Sequence, residues 1–597
     1  MSAFEQMREG GFSALDAALI DAFDSIWPGS DRSALHLAAL NSWAVGRGHS
    51  CFTPELLAEW PSGTEPGLRE RAIHAWHEAL RSGAWPQAAF IGSAGSDSPI
   101  VVEGERAWLR RYWRYEREIE AALIARTEPL STSPDPAEVR DALDPLLPPG
   151  DPAETDWQRV AAVMALRAPL TVICGGPGTG KTFTALRVLA LIRRFSDRRL
   201  HIGLAAPTGK AAQRLSESVR LGLKDLALTD DQRADLPTDA STLHRLLGFR
   251  PQSVQPARDA ARPLDLDVLV VDECSMVDLP LMAKLLRALK PGCRLILLGD
   301  ADQLPAVENG AVLATLAATN RYNRYSVPSA QWIAAAGAAT VPTSNERAII
   351  ADRIVRLERP RRFGGDSGIA RLVRAIRLGD AEAVLDTLSG SDDIRWHEQP
   401  WRADSAAMRS TVRESYRALS DAQSPATALA AINRYRILCA LREGPQGVSG
   451  LNQTVSTALH GAFSSSAFIS GRPILVTSNQ HALGLYNGDV GVLLGEQPGS
   501  PLRAWFLRGD GDLQALLPAQ LPPHESAWAM TVHKAQGSEF DTVELVLPDE
   551  PHPLLTREWL YTAASRARSH LRIHASREVI AAALQQRTRR INGLRFD

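Results

Sequence analysis

The stretch PLTVICGGPGTGKT, residues 169–182, decides the fold. A short apolar run ends in a glycine-rich turn, and a helical pattern begins at once. The segment matches G-x-x-x-x-G-K-[ST] in full, in the strand-to-helix context that gives the pattern its meaning. Glycine is needed because the backbone must turn tightly for its amide groups to converge on phosphate. Gly175, Gly176, Pro177, Gly178, Thr179 and Gly180 therefore form a candidate phosphate cradle. Lys181 can reach the β- and γ-phosphates, and the Thr182 hydroxyl can ligate magnesium, so ATP and Mg2+ are the expected cofactors.

Three further apolar runs end in polar tips: LHIGLAAP (200–207), LDVLVVDE (266–273) and CRLILLGD (293–300). Buried strands with polar C-terminal ends are what a parallel α/β sheet requires. Asp272 is placed to hold magnesium and Glu273 to orient and deprotonate the attacking water. Asp300 and Gln303 are placed to sense the γ-phosphate. The segment has no N/TKxD-like guanine-reading stretch, which argues against a GTPase. A second α/β region begins near residue 357 and resumes after 525. Its loop TVHKAQGSEFD (531–541) collects Thr531, His533, Lys534, Gln536, Ser538 and Glu539, a polarity suited to a nucleotide or a nucleic-acid backbone. Near the end, YTAASRARSHL (561–571) carries Arg566 and Arg568. Arg566, expected on a helix facing the phosphate loop, is the candidate that stabilises charge on the γ-phosphate when two halves close.

The remainder of the chain bounds these readings. Its 597 residues are too many for one core and predict about three to five domains. The 66 basic and 68 acidic residues give a net charge of −2, which argues against a cationic tail but leaves room for a local basic groove. No apolar run reaches the roughly 18 residues that span a membrane, and the first residues lack a signal-peptide pattern. Five scattered cysteines fit a cytoplasmic chain with reduced thiols. Residues 1–128 read as a mainly helical domain, with AWLRRYWRYEREIEAALIA (107–125) packing aromatic rings against a neighbour or partner. The proline-rich 129–156 reads as a linker. Residues 157–356 form the first α/β domain with a small insertion, and 357–444 with 525–597 the second. Asn-Gly and Gly turn signals in 471–494 predict antiparallel strands or a small barrel inserted at 445–524.

The motifs, in order and wording, resemble the RecD family, the alpha chains of bacterial exonuclease V within superfamily 1B of the DNA helicases. The resembling segments are DWQ with Gln158, GGPGTGKT, APTGKAAQRL (206–215), STLHRLLG (241–248), DECS, GDADQLPAVENGAVL, ERPRRFGGDSGIA (358–370), LCALREGPQGVSGLN, AMTVHKAQGSEFD and YTAASRAR. The resemblance implies two RecA-like P-loop domains, an SH3-like barrel inserted in the second, and a partner-docking N-terminal domain. It makes Gln158 the adenine reader, Arg362 a phosphate contact and Arg566 the arginine finger. It makes Pro207, Thr208, Lys210, Thr242, His244, Thr531, His533 and Lys534 contacts to single-stranded DNA, and it places Gly537 and Glu539 at the nucleotide. It implies ATP-driven 5′-to-3′ movement in a heterotrimer with the beta chain (RecB) and the gamma chain (RecC), processing duplex DNA ends for homologous recombination, with cleavage residing in the beta chain. Leu304-Pro305 is also wording of stand-alone helicases of this branch, which makes a stand-alone helicase one alternative. A nucleotide-binding structural subunit without a motor is another.

Overall fold

The computed structural model describes residues 12–59, 85–130, 133–151, 154–226, 228–250, 253–318, 322–344, 350–359, 367–399, 401–402, 405–461, 468–497, 499–508 and 511–596. Three strands come first: β1 (Ile91–Gly92), β2 (Ile100–Glu103) and β3 (Arg106–Leu109). The first large sheet contains β4 (Leu170–Gly175), β5 (Ile202–Ala206), β6 (Ser241–Thr242), β7 (Val268–Val271), β8 (Arg294–Gly299) and β9 (Ile354–Leu357). The strands are all parallel and run in the order β6-β5-β7-β8-β4-β9.

Alternation along these strands feeds two cores. Val268 and Val270 of β7 join Ile296 and Leu298 of β8 on one face. Leu269 and Val271 join Leu295 and Leu297 on the other. A sheet covered on both faces favours apolar residues at nearly every position, which is why β7 reads as an unbroken hydrophobic run and β4 is broken only by Thr171. Full burial of one such side chain stabilises by about 1.5–3 kcal/mol.

The second sheet is also parallel. It contains β10 (Ile394–His397), β11 (Tyr435–Cys439), β17 (Ala529–Thr531), β18 (Phe540–Val546) and β19 (Ala567–His574), in the order β10-β19-β18-β11-β17. Between β11 and β17 the chain makes a separate antiparallel sheet. Its strands are β12 (Pro473–Val476), β13 (Val490–Gly495), β14 (Leu502–Leu507), β15 (Leu513–Leu516) and β16 (His524–Ser526), ordered β15-β14-β13-β12-β16. The helix Val448–His460 falls inside the span expected for this insertion, yet its Leu451 and Val455 share a core with Ile437 of β11 and Ala529 of β17.

The N-terminal region is not simply helical. Helices Ala14–Ile26 and Arg32–Gly46 pack on the three-stranded sheet through Phe23, Leu37, Phe90 and Ile100. The helix expected from residue 107 starts at Arg110, because Arg106–Leu109 is taken by β3, which pairs with β2. Trp108 of β3 and Tyr112 of the following helix are buried against the first large domain rather than displayed.

The last residues form a strap. After the final helix, Arg577–Gln585, the chain returns to the N-terminal region. Ile591 receives a hydrogen bond from the Ser50 amide at 2.9 Å and donates its own to His49 Nδ1 at 3.0 Å. The Gly593 amide donates to the buried Glu116 carboxylate at 2.9 Å, and Phe596 is buried in the first domain's core.

Candidate active site between the two sheets

The cradle is built by local geometry. Gly178 and Gly180 take φ values of 74° and 85°, the left-handed region open to glycine. Gly180 caps the helix Lys181–Arg194, so the helix N-terminus and its unpaired amides face the loop. A Cβ on Gly180 would lie 2.7 Å from Gln158 Nε2. Gln158 itself donates to the Thr179 carbonyl at 3.1 Å. It is thus tied to the loop.

Lys181 Nζ donates to the carbonyls of Gly175 and Gly176 at 2.7 and 3.1 Å. Thr182 Oγ1 lies 3.3 Å from Asp272 Oδ2 across the tip of β7. A hydroxyl beside a carboxylate is a donor set that would suit magnesium carried by a nucleotide. Glu273 follows in the left-handed region, with φ 51°, a conformation that costs a non-glycine residue energy and turns its carboxylate into the cleft. Burial, then the neighbouring Asp272, pushes the Glu273 carboxyl upward, against the pull of Arg566 and Lys181.

These groups share a cleft of about 280 Å³ lined by Lys181, Thr182, Asp272, Glu273, Gln303 and Arg566, with Gly537 and Glu539 on its far wall. The oxygens Gln158 Oε1, Gln303 Oε1, Ser275 Oγ and Ser538 Oγ are buried there or close by without a protein partner. Buried polar atoms are normally paired. The residues present therefore fit a polyphosphate with its metal.

Arg566 occupies the cleft, but not on a helix as expected. The helix Arg557–Ala564 ends at Ser565, and Arg566 forms the turn into β19. It is 2% exposed, and its guanidinium donates to Thr562 O, Ser538 O and Ser565 Oγ, all at 3.1 Å. Burial lowers its pKa, and the closeness of Glu273 and Glu539 opposes that. Arg568, in β19 instead of on the same helix, pairs with Glu539 at 3.2 Å on the surface. Glu539 is also held by Arg214 at 3.1 Å, so this carboxylate clasps the two halves together. Arg362 lies outside the described residues.

The expected DNA contacts are not brought together in one place. Lys210 and Thr242 line a groove of about 810 Å³ between the helix Gly209–Lys224 and the inserted sheet. Thr531 and Lys534 line another of about 570 Å³, with Arg442 and Arg472. Thr208 and Thr242 cap helices, accepting from Ala211 and Arg245 amides at 3.2 Å, which leaves each O–H free to donate. Lys534 is engaged with Glu525 at 2.7 Å. Lys210 is half-buried, and burial together with Arg436 and Arg214 brings its pKa to about 7. His244 is exposed beside Phe249, with ring centres 4.9 Å apart, and Pro207 and His533 are half-buried.

Sequence reading missed the contacts that join the halves. Thr562 Oγ1 accepts from the Leu304 amide at 2.8 Å, and Gln536 Nε2 donates to the Leu304 carbonyl at 2.9 Å. Arg214 donates to Gly537 O at 2.6 Å. Their only sequence signal is that they lie inside motif segments.

Family models match in three places: the RecBCD enzyme subunit RecD N-terminal domain over residues 8–107, an AAA domain over 158–309, and a UvrD-like helicase C-terminal domain over 526–574. The RecBCD enzyme subunit RecD of Mycobacterium tuberculosis is 40% identical over 86% of this chain and 85% of its own. That of Haemophilus influenzae is 34% identical over 94% and 92%. The ATP-dependent RecD2 DNA helicase of Deinococcus radiodurans is 31% identical over 70% of this chain but only 49% of its own length. With such identity sustained across nearly the whole of both chains, the protein belongs to the RecD family of RecBCD enzyme subunits.

Proposed function

We propose that the chain is an ATP-dependent DNA helicase, the alpha subunit of a heterotrimer with RecB and RecC that processes duplex DNA ends for homologous recombination. The observation that carries this is one cleft in which Lys181, Thr182, Asp272 and Glu273 of the first sheet meet Arg566 of the second. A bond-breaking site split between two sheets turns nucleotide arrival into closure and release into opening, and alternate grip on the strand becomes movement. Thr182 and Asp272 would hold Mg2+, which supplies charge neutralisation on the phosphates. Glu273 orients and deprotonates water, Gln303 reports on the γ-phosphate, and Arg566 answers the developing negative charge.

The grooves beside Lys210 and Lys534 track the backbone of single-stranded DNA in the 5′-to-3′ direction, without base-edge readout. Cleavage belongs to the beta chain. The domain limits that fit this reading are the N-terminal docking domain to 128, a linker to 156, the RecA-like domains at 157–356 and at 357–444 with 525–597, and an SH3-like barrel within 445–524. Support for the subunit over the stand-alone helicase comes from the RecD N-terminal match and the coverage of full-length RecD relatives. Purified chain should hydrolyse ATP faster with single-stranded DNA and unwind a duplex bearing a 5′ tail. A chain silent alone and silent with RecB and RecC, yet binding nucleotide, would return it to a structural subunit.

A further inference from the structure

We propose that Tyr561 is a positioning residue that links the phosphate loop to the third strand tip, and so tells the arginine-bearing turn that nucleotide has arrived. This rests on the motor reading above. Tyr561 lies on the helix Arg557–Ala564 of the second half, buried, and its hydroxyl donates to Asp300 Oδ2 at 2.9 Å. The same carboxylate accepts from Gln303 Nε2 at 3.2 Å and from the Asp302 amide at 3.1 Å, which fixes the loop that carries Gln303. On its other side the phenol oxygen lies beside the phosphate loop: a Cβ built on Gly176 would be 2.9 Å from it. A side chain at 176 would therefore have to displace the phenol as well as the phosphate.

Three links form a chain. Lys181 is close enough to Asp300 to draw its carboxyl down against the upward push of burial. When phosphate draws Lys181 away from the Gly175 and Gly176 carbonyls, both the loop backbone and the charge beside Asp300 change. Tyr561 lies against both, and the next residue, Thr562, holds the Leu304 amide with its hydroxyl and the Arg566 guanidinium with its carbonyl. Loop, strand tip and arginine are thus read by one rigid helix turn.

The test is Tyr561→Phe in the full-length chain, which removes one oxygen and keeps the buried ring. ATP turnover with single-stranded DNA, the KM for ATP, nucleotide affinity by a fluorescent ATP analogue, and the thermal midpoint are measured together. We expect kcat to fall about tenfold or more, the loss of a buried hydrogen bond to a charged acceptor at the rate-determining step. KM and nucleotide affinity should stay within about twofold and the midpoint nearly unchanged. Asp300→Asn should cost a similar factor, and the double variant no more than either. An unchanged kcat in Tyr561→Phe, a loss carried by KM or affinity, or losses that multiply in the double variant would overturn the proposal. Turnover absent from the wild type, alone and with partner chains whose own motor is inactivated, would overturn the motor reading beneath it instead.

Discussion

The nucleotide cleft and the two grooves beside it are made of similar residues by different rules. In the cleft, each group sits within a few residues of a strand tip: Lys181 after β4, Asp272 after β7, Gln303 after β8. The parallel sheet aligns those tips, so spacing along the chain fixes position in space. The grooves gather residues from distant segments, such as Lys210 with Tyr486 and Arg508, or Lys534 with Arg442 and Arg472. Chemistry here is local and strand contact is assembled, so single substitutions in the cleft should act absolutely and those in the grooves by degrees.

Lys181→Gln tests that contrast most severely. ATP turnover should drop to background while the thermal midpoint and assembly with the partner chains persist; normal turnover would remove the cleft from the mechanism. Arg566→Ala comes next. As the proposed finger, it should contribute about a thousandfold or more to turnover, with nucleotide affinity largely kept. Because three hydrogen bonds hold its guanidinium inside the second half, Arg566→Lys should rescue little, since an ammonium cannot reproduce that fork.

In the grooves, Lys534→Ala should weaken single-stranded DNA binding by a modest factor and lower the slope of log affinity against log salt by about 0.7, leaving DNA-free turnover intact. A hundredfold loss would mean that one residue dominates and the contrast fails. Lys210 sharpens it through pH. Burial first, then Arg436 and Arg214, bring its pKa to about 7 against the opposing pull of Asp489. It is an ammonium below that and neutral above, so its share of strand affinity should fall as pH rises from 6 to 8. Lys210→Met should flatten that slope. The depressed pKa also means the unfolded chain holds this proton between about 7 and the ordinary 10.5, so folding gains stability as pH rises across that window.

What could be read from the sequence follows the same division. The phosphate loop, the Asp-Glu tip and the two parallel sheets were legible because buried strands and glycine turns leave local periodicity. Arg566 was legible as a residue but not in its setting: two residues of turn separate helix from β19, too few to register as a break. Tyr561 passed unremarked because a hydrogen bond to a residue 261 positions away leaves no spacing to detect. Strands β1 to β3, two to four residues long, are too short for alternation to show among helices.

The C-terminal strap is the extreme of an assembled feature, and the smallest effect on chemistry is expected there. Nothing periodic marks residues 586–596, yet they bind partners more than 470 positions away. A Cβ on Gly593 would lie 2.4 Å from the Trp108 ring and 2.8 Å from Glu116 Oε2, so Gly593→Val should detach the strap. The thermal midpoint should fall, by overpacking of about 1–3 kcal/mol, while ATP turnover stays within about twofold. Acid should act at the same place. His49 accepts the Ile591 amide through Nδ1, and burial with Arg590, Arg589 and Arg47 lowers its pKa to about 4. Between about 6.5 and 4 the unfolded chain takes up a proton that the folded chain refuses. The strap's contribution is thus complete above 6.5 and drains away as pH falls towards 4. Gly593→Val, with the amide contact already gone, should lose less stability over that interval than the wild type, and an equal loss in both would place the acid sensitivity elsewhere.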